Sequence, residues 1–129
     1  MSKTATIKKE CNVLMIDDNE QITKMVSTFL VLNSHKCTIA NHAQDGLEFM
    51  IKNDYDAVIL DLTMPDMDGY DVLEKINESD IKYKVIVLTA SNVSQENMKK
   101  IKESGIKNIL QKPADIDVLL EKISEVANS

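Results

Sequence analysis

The sequence predicts an α/β fold in which helices cover both faces of one five-stranded parallel sheet, a doubly wound arrangement. The chain has 129 residues, the size of a single domain with a real core. From Asn12 onward, five strand-like segments alternate with five segments of helical periodicity, which is the pattern of parallel strands joined by helices. The central segment, Val58-Ile59-Leu60, is apolar without alternation, as expected of a strand buried on both faces.

Composition limits the classes of function. The chain is 43% hydrophobic and 28% charged, which indicates a globular rather than a disordered protein. Its formal charge of −6 argues against non-specific binding of nucleic acid, which requires clustered basic surface. No apolar run approaches the length of a membrane span and the start has no signal-peptide core, so we expect a cytoplasmic protein without a membrane partner.

The first half of the chain gives clear element boundaries. Residues 1–10 carry lysines and little periodicity, so we expect a flexible N-terminal segment followed by one domain over 11–129. The first strand ends at Ile16, and Asp18 or Asn19 is suited to cap the following helix. Residues 37–40 predict a short edge strand. The first helix is expected to face the sheet through an apolar stripe of Ile22, Met25, Val26, Phe29 and Leu30.

The four later helices differ in how much apolar surface they offer. The fourth, Ser94–Glu103, has only Met98 and Ile101 among its lysines, so it should be among the least stable elements. Ser104-Gly105 is expected to end that helix. The second helix is predicted to bury Ala43, Leu47, Met50 and Ile51. The third helix, which begins at Gly69, is predicted to bury Val72, Leu73 and Ile76. The fifth helix is predicted to bury Ile116, Leu119, Leu120 and Ile123.

Polar side chains follow four of the predicted strands at the point where each ends. Asp17 and Asp18 follow the first strand, Asp61 ends the third, Thr89 the fourth, and Lys112 comes just after the fifth. The carboxyl ends of parallel strands share one edge of the sheet, and ligands bind in the crevice there. The sequence therefore predicts one site made of three carboxylates, a hydroxyl and an ammonium.

These groups favour a particular chemistry. Unit charges about 4 Å apart repel by roughly 4 kcal/mol even at an effective dielectric constant of 20, and a divalent cation would supply the missing charge. Oxygen ligands without histidine or thiolate select Mg²⁺, or Mn²⁺, over zinc and copper. An aspartate can also act as a nucleophile toward phosphorus, and phosphoryl transfer mainly requires positioning and nearby cations. The pattern predicts transfer of a phosphoryl group onto Asp61, beside Lys112 and Thr89.

Five spaced motifs resemble those of the response-regulator receiver domain of two-component signalling, in particular the single-domain chemotaxis regulators (CheY-like). They are Asp17-Asp18, Asp61 followed by Met64-Pro65, Asp68-Gly69, Thr89-Ala90 and Lys112-Pro113, and the resemblance covers Cys11 to Ala127. It implies a flavodoxin-like strand order of 2-1-3-4-5. It also implies that Asp61 is phosphorylated by the phosphohistidine of a partner histidine kinase, or by small phosphodonors.

The same resemblance assigns roles to the site residues. Asp18, Asp61 and the Thr63 carbonyl would bind Mg²⁺ directly, and Asp17 through water. Lys112 would bind the phosphoryl group, Thr89 and Ala90 would belong to the phosphoryl-binding switch, and the bond before Pro113 would be cis, a form that only about 5–6% of such bonds adopt. The chain would then be a monomeric signalling module, with self-phosphorylation and self-dephosphorylation as its only chemistry.

Partners and output follow from the resemblance too. A histidine kinase or phosphotransfer protein would supply the phosphoryl group, and a downstream protein would bind the fourth helix, fifth strand and fifth helix, with no direct contact to nucleic acid. One position departs from the family pattern: Ile109 stands three before Lys112, where an aromatic switch residue is usual. An output mechanism that depends on that aromatic side chain is therefore not expected here.

Other interpretations fit the sequence less well. Aspartyl-phosphate phosphatases of the haloacid-dehalogenase type share an Asp-x-Thr string like Asp61-Leu62-Thr63, but their nucleophile ends the first strand and their acidic pair comes last. A flavodoxin-like cofactor binder would need a phosphate-cradling first loop, which Asp17 to Glu20 would repel. The chain could also be the receiver part of a longer regulator with a separate output domain. Its short C-terminal tail favours a natural end.

Overall fold

The computed structural model describes residues 10–62, 69–77, 80–89, 94–112 and 115–128. Five strands alternate with five helices, as predicted, and a short 3₁₀ helix over Asp80–Lys84 was not predicted. The strands are β1 (Asn12–Ile16), β2 (Lys36–Ala40), β3 (Ala57–Asp61), β4 (Val85–Thr89) and β5 (Asn108–Gln111). The helices are α1 (Glu20–Leu32), α2 (Ala43–Lys52), α3 (Gly69–Asn77), α4 (Gln95–Glu103) and α5 (Ile116–Ala127).

All five strands form one parallel sheet in the order β2-β1-β3-β4-β5, so the predicted order 2-1-3-4-5 is confirmed. The predicted edge position of β2 is confirmed as well. The strand β3 lies in the centre, and all its residues are buried. In this register Asp61 lies opposite Leu88, one residue before the end of β4, so the ends of the central strands come together at one edge.

Two apolar clusters cover the two faces of the sheet. Because side chains alternate along a strand, neighbouring residues belong to different clusters. The first cluster contains Leu14, Val58 and Val87 and is closed by α2, α3 and α4. The second contains Met15, Ile59 and Ile86 and is closed by α1 and α5. Burial on both faces explains the continuous apolar runs of the central strands.

Side-chain caps and a left-handed residue fix several helix ends. Asn19, not Asp18, caps α1, because its side-chain oxygen accepts a hydrogen bond from the Ile22 N–H at 3.1 Å. Ser94 caps α4 and Asp115 caps α5 in the same way. Gly105 follows α4 with φ of 86°, the left-handed conformation that glycine adopts at little cost, which confirms the predicted end of that helix.

The predicted helix stripes were partly wrong. In α1, Met25 and Phe29 are 50% and 39% exposed, and the buried residues are Thr23, Val26 and Leu30. Ile51 of α2 is 83% exposed. Both helices pack near the β2 edge of the sheet. The stripe of apolar residues that contacts the sheet is therefore narrower than the periodicity of these helices suggests. The predicted N-terminal segment lies outside the described residues except for Glu10, whose carboxylate lies 3.2 Å from Lys36 Nζ.

Candidate functional site

Asp17, Asp61 and Lys112 meet at the carboxyl edge of the sheet, on the face covered by α1 and α5. Alternation along β1 and β3 places Asp17 and Asp61 on the side of Met15 and Ile59. Beyond β5, the Lys112 N–H donates to the Thr89 carbonyl at 2.7 Å and so extends the β4–β5 ladder by one residue. Sheet geometry therefore brings three distant parts of the chain to one point.

The ammonium of Lys112 lies between two buried carboxylates. Lys112 Nζ is 2.8 Å from Asp61 Oδ2 and 3.5 Å from Asp17 Oδ2. The two aspartates are 1% and 0% exposed, respectively, whereas the Lys112 side chain is 27% exposed. The short distance to Asp61 makes a charge-assisted hydrogen bond, which orients both groups.

A third carboxylate joins this pocket. Asp17, Asp18 and Asp61 each present an oxygen, and these oxygens lie within 4.8 Å of one another, with Asp18 exposed. The structure thus gathers the three acids that the sequence assigned to one site. The pocket holds three carboxylates and one described ammonium, so it lacks positive charge.

Asp17 is held through almost every polar atom it has. Its N–H donates to the Ala40 carbonyl at 3.1 Å, and its Oδ1 accepts from the Asn19 N–H at 3.0 Å. Its main-chain carbonyl accepts from Asn41 Nδ2 at 2.9 Å. The remaining atom, Oδ2, is buried and has no hydrogen-bond partner within the described residues. Its nearest described cationic group is Lys112 Nζ, at 3.5 Å. A buried carboxylate oxygen without a hydrogen bond, beside two other carboxylates, suits a hard cation such as Mg²⁺.

Burial and the neighbouring charges shift two pKa values in the pocket. Burial raises the pKa of Asp17 to about 6 from 3.8; the Asn19 N–H opposes this, the Asp61 charge adds to it, and Lys112 opposes it. Burial acts to lower the pKa of Lys112, but its hydrogen bond and charge interaction with Asp61, together with Asp17, raise that pKa above its usual value. Burial and like charge thus both disfavour an ionised Asp17, and a cation would relieve them.

Thr89 lies at the same edge of the sheet as Asp17 and Asp61, but on the other face. It lies opposite Gln111 and, by alternation, on the side of Val85 and Val87, in the first cluster. The residue is fully buried, and its Oγ1 has no hydrogen-bond partner in the part of the chain that is described. Sequence reasoning placed Thr89 at this edge but did not assign its face.

Of the other predicted site residues, only Ile109 lies within the described residues. Ile109 is partly buried against the first cluster, opposite Val87, and so is a diagonal neighbour of Thr89 on the same face. Thr63, Ala90 and Pro113 lie outside the described residues. Asn41 was missed. It follows the end of β2, and the strand-end argument applied to the other four strands would have found it.

The response regulator receiver domain family model matches residues 13–124. The chemotaxis protein CheY of Treponema pallidum is 36% identical, with 88% of this chain and 81% of that protein covered. The sensor histidine kinase RcsC of Salmonella typhimurium is 30% identical over 97% of this chain, but this chain spans only 13% of that kinase's length. A CheY-like receiver structure from Methanospirillum hungatei superposes with a TM-score of 0.83 at 28% identity, over 91% of this chain and 93% of the other.

No helix in the described ranges has the length and apolar character that crossing a membrane would require.

Proposed function

This chain belongs to the response regulator receiver domain family, and on that premise we propose that Asp61 accepts a phosphoryl group from a phosphohistidine. Receiver domains are signalling modules that pair with histidine kinases or phosphotransfer proteins. The observation that supports Asp61 most directly is its 2.8 Å contact with the Lys112 ammonium inside a buried pocket that also contains Asp17. Asp17 is equally buried, but its oxygen lies farther from the same ammonium, at 3.5 Å.

The step transfers one group between two nucleophiles. A carboxylate oxygen of Asp61 attacks phosphorus in line with the phosphorus–nitrogen bond of the donor imidazole. The new phosphorus–oxygen bond forms an acyl phosphate, and the bonding electron pair leaves with the imidazole nitrogen. Lys112 then lies within reach of a phosphoryl oxygen and neutralises part of its charge. The chain stores the phosphoryl group and releases it by hydrolysis.

Receiver domains bind Mg²⁺ at an acidic cluster. The donor set here fits that ion because it consists of clustered oxygens, one of them buried without a hydrogen bond in the described residues. Asp18 and Asp61 would hold it with the Thr63 carbonyl, and Asp17 through water; Mn²⁺ would fit the same ligands. When bound, it supplies positive charge to the phosphoryl oxygens. The residues of the chain position the carboxylates that hold it.

Thr89 offers a buried hydroxyl at the same edge of the sheet. Its Oγ1 is buried without a described partner, so a phosphoryl oxygen on Asp61 would give it an acceptor once the end of β4 turns this side chain from the first-cluster face toward the pocket. The backbone at Ala90 would contribute a donor, and a cis bond before Pro113 would set the path of the chain after Lys112. Ile109 packs on the same face as Thr89 and would transmit the movement by packing alone, since it has no hydroxyl.

The output surface is α4, β5 and α5, which would bind a downstream protein directly rather than nucleic acid. We place the monomeric domain in the cytoplasm, where kinases of two-component systems act. Because the chain spans 13% of RcsC but 81% of a chemotaxis CheY, it acts either as a free-standing regulator or as the receiver part of a longer one.

Mass spectrometry after incubation with acetyl phosphate and Mg²⁺ tests the proposal. The wild type should gain the mass of one phosphoryl group, and Asp61→Asn should gain none. Asp56→Asn is the matched control, since Asp56 precedes the same strand at its opposite end and accepts a hydrogen bond from the Asn12 N–H at 2.7 Å. It should behave as the wild type. Equal phosphorylation of Asp61→Asn would contradict the assignment.

A further inference from the structure

Asn41 connects the end of β2 to the acidic loop after β1. Its Nδ2 is 2.9 Å from the Asp17 carbonyl oxygen and 3.3 Å from Thr23 Oγ1. Thr23 donates its own hydroxyl hydrogen to the Glu20 carbonyl at 3.1 Å, so its oxygen is free to accept. Both neighbours of the amide are thus acceptors, which requires the nitrogen rather than the oxygen of Asn41 to face them.

This bond completes the restraint of Asp17. The N–H, carbonyl and Oδ1 of Asp17 all have hydrogen-bond partners. Two of these partners are main-chain groups, and the third is the side chain of Asn41. Only Oδ2 is left, and it lies 3.5 Å from Lys112 Nζ. The loop is therefore arranged so that one oxygen of Asp17 is available to the pocket.

The direction of the Asp17 carbonyl also affects Asp18. In a trans peptide the C=O and the next N–H point to opposite sides. The strands β2 and β3 flank β1 on opposite sides, so a carbonyl drawn toward Asn41 at the β2 end turns the other side of that peptide toward β3, where Asp61 lies. The Asn41 bond thus sets the orientation of the whole Asp17-Asp18 pair.

We propose that Asn41 is a positioning residue for the cation-binding carboxylates, acting through the main chain of Asp17. The inference rests on the proposed Mg²⁺ site and adds a residue to it. Loss of a residue that orients metal ligands typically weakens metal binding by about 10- to 100-fold. Because Asn41 acts through Asp17, excess Mg²⁺ should overcome most of the loss.

Calorimetric titration of the apo protein with MgCl₂ alone provides the test. Asn41→Ala should weaken Mg²⁺ binding by about 10-fold or more. Thr23→Val is the matched control, since it removes the other acceptor of Asn41 and keeps the bond to Asp17; its dissociation constant should stay near the wild-type value. Phosphorylation of Asn41→Ala by acetyl phosphate should need more Mg²⁺ for half-maximal rate yet approach the wild-type maximum.

The outcomes separate this inference from the proposed function. Suppose that the wild type binds Mg²⁺. An Asn41→Ala variant with the wild-type dissociation constant would then overturn only the role of Asn41, and so would equal weakening of Mg²⁺ binding in Asn41→Ala and Thr23→Val. A wild type that binds no Mg²⁺ would overturn both. If Asn41→Ala does not fold, nitrogen-15 NMR of the wild type decides. The Asn41 side-chain amide should exchange slowly and shift on Mg²⁺ addition, and free exchange without a shift would refute the role.

Discussion

Thr89 carries a fully buried hydroxyl whose oxygen has no partner among the residues described. A buried polar group without a hydrogen bond costs about 1–3 kcal/mol. Thr89→Val keeps the shape and removes that group, so we expect the free energy of unfolding of the apo protein to rise by about 1 kcal/mol. Thr89→Ser keeps the hydroxyl and loses a buried methyl group, so it should lower stability by about 1 kcal/mol.

Urea unfolding in the absence of Mg²⁺ and phosphodonor measures both changes. Opposite signs for the two variants are the expected result. A lower unfolding free energy for Thr89→Val would show that the hydroxyl has a stabilising partner in the unphosphorylated chain, which would remove the reason for assigning it to the phosphoryl group.

For individual residues, the sequence predicted which side chains lie together at the site, but not the contacts that orient each one. Asp17, Asp61 and Lys112 could be assigned to one edge because the carboxyl ends of parallel strands always coincide. The face of Thr89 depends on strand phase, and the bond of Asn41 depends on the pairing of β1 with β2, neither of which a local pattern contains.

Among the helices, α4 has the smallest buried apolar face, with Ile101 as its one fully buried residue in the described part of the chain. Helices with few buried contacts open at low free energy. We expect amide exchange over 94–104 to be faster than over α5, which buries Leu119, Ile123 and Val126. A beryllofluoride adduct on Asp61 should change protection in 94–104 by several-fold.

Hydrogen-exchange mass spectrometry with and without the adduct measures this change. The α2 residues 43–52, which pack near the opposite edge of the sheet, serve as the internal reference. Unchanged protection over 94–104 on adduct formation, in protein shown by mass to carry it, would contradict α4 as part of the output surface.

Element positions followed from hydrophobic periodicity, whereas the width of each buried face did not. In α1 the spacing of Met25 and Phe29 is helical and the helix is present, yet both side chains are exposed. Periodicity reports which residues share a side of a helix. How much of that side is covered depends on the neighbours across the sheet, which near the β2 edge are few.

For the molecule as a whole, Asp17 links stability to pH. Its pKa is about 6 in the folded chain and 3.8 as the ordinary value, so the folded state holds this proton more tightly than the unfolded state. Its contribution to stability is therefore present at low pH and is lost as pH rises from about 4 to about 6.5. At about 1.4 kcal/mol per pKa unit, the loss is of the order of 3 kcal/mol.

Denaturant unfolding in EDTA between pH 4 and pH 7.5, on wild type and Asp17→Asn, isolates this term, because the other titrating groups are common to both. The wild type should lose stability relative to Asp17→Asn as pH rises. Mg²⁺ should restore it, by about 2.7 kcal/mol at a hundred times its dissociation constant. That gain should be smaller at pH 5, where protons compete with the cation for Asp17. Parallel pH profiles of the two proteins in EDTA would show that the pKa of Asp17 is not raised in the folded chain. The electrostatic argument for a cation in this pocket would then fail.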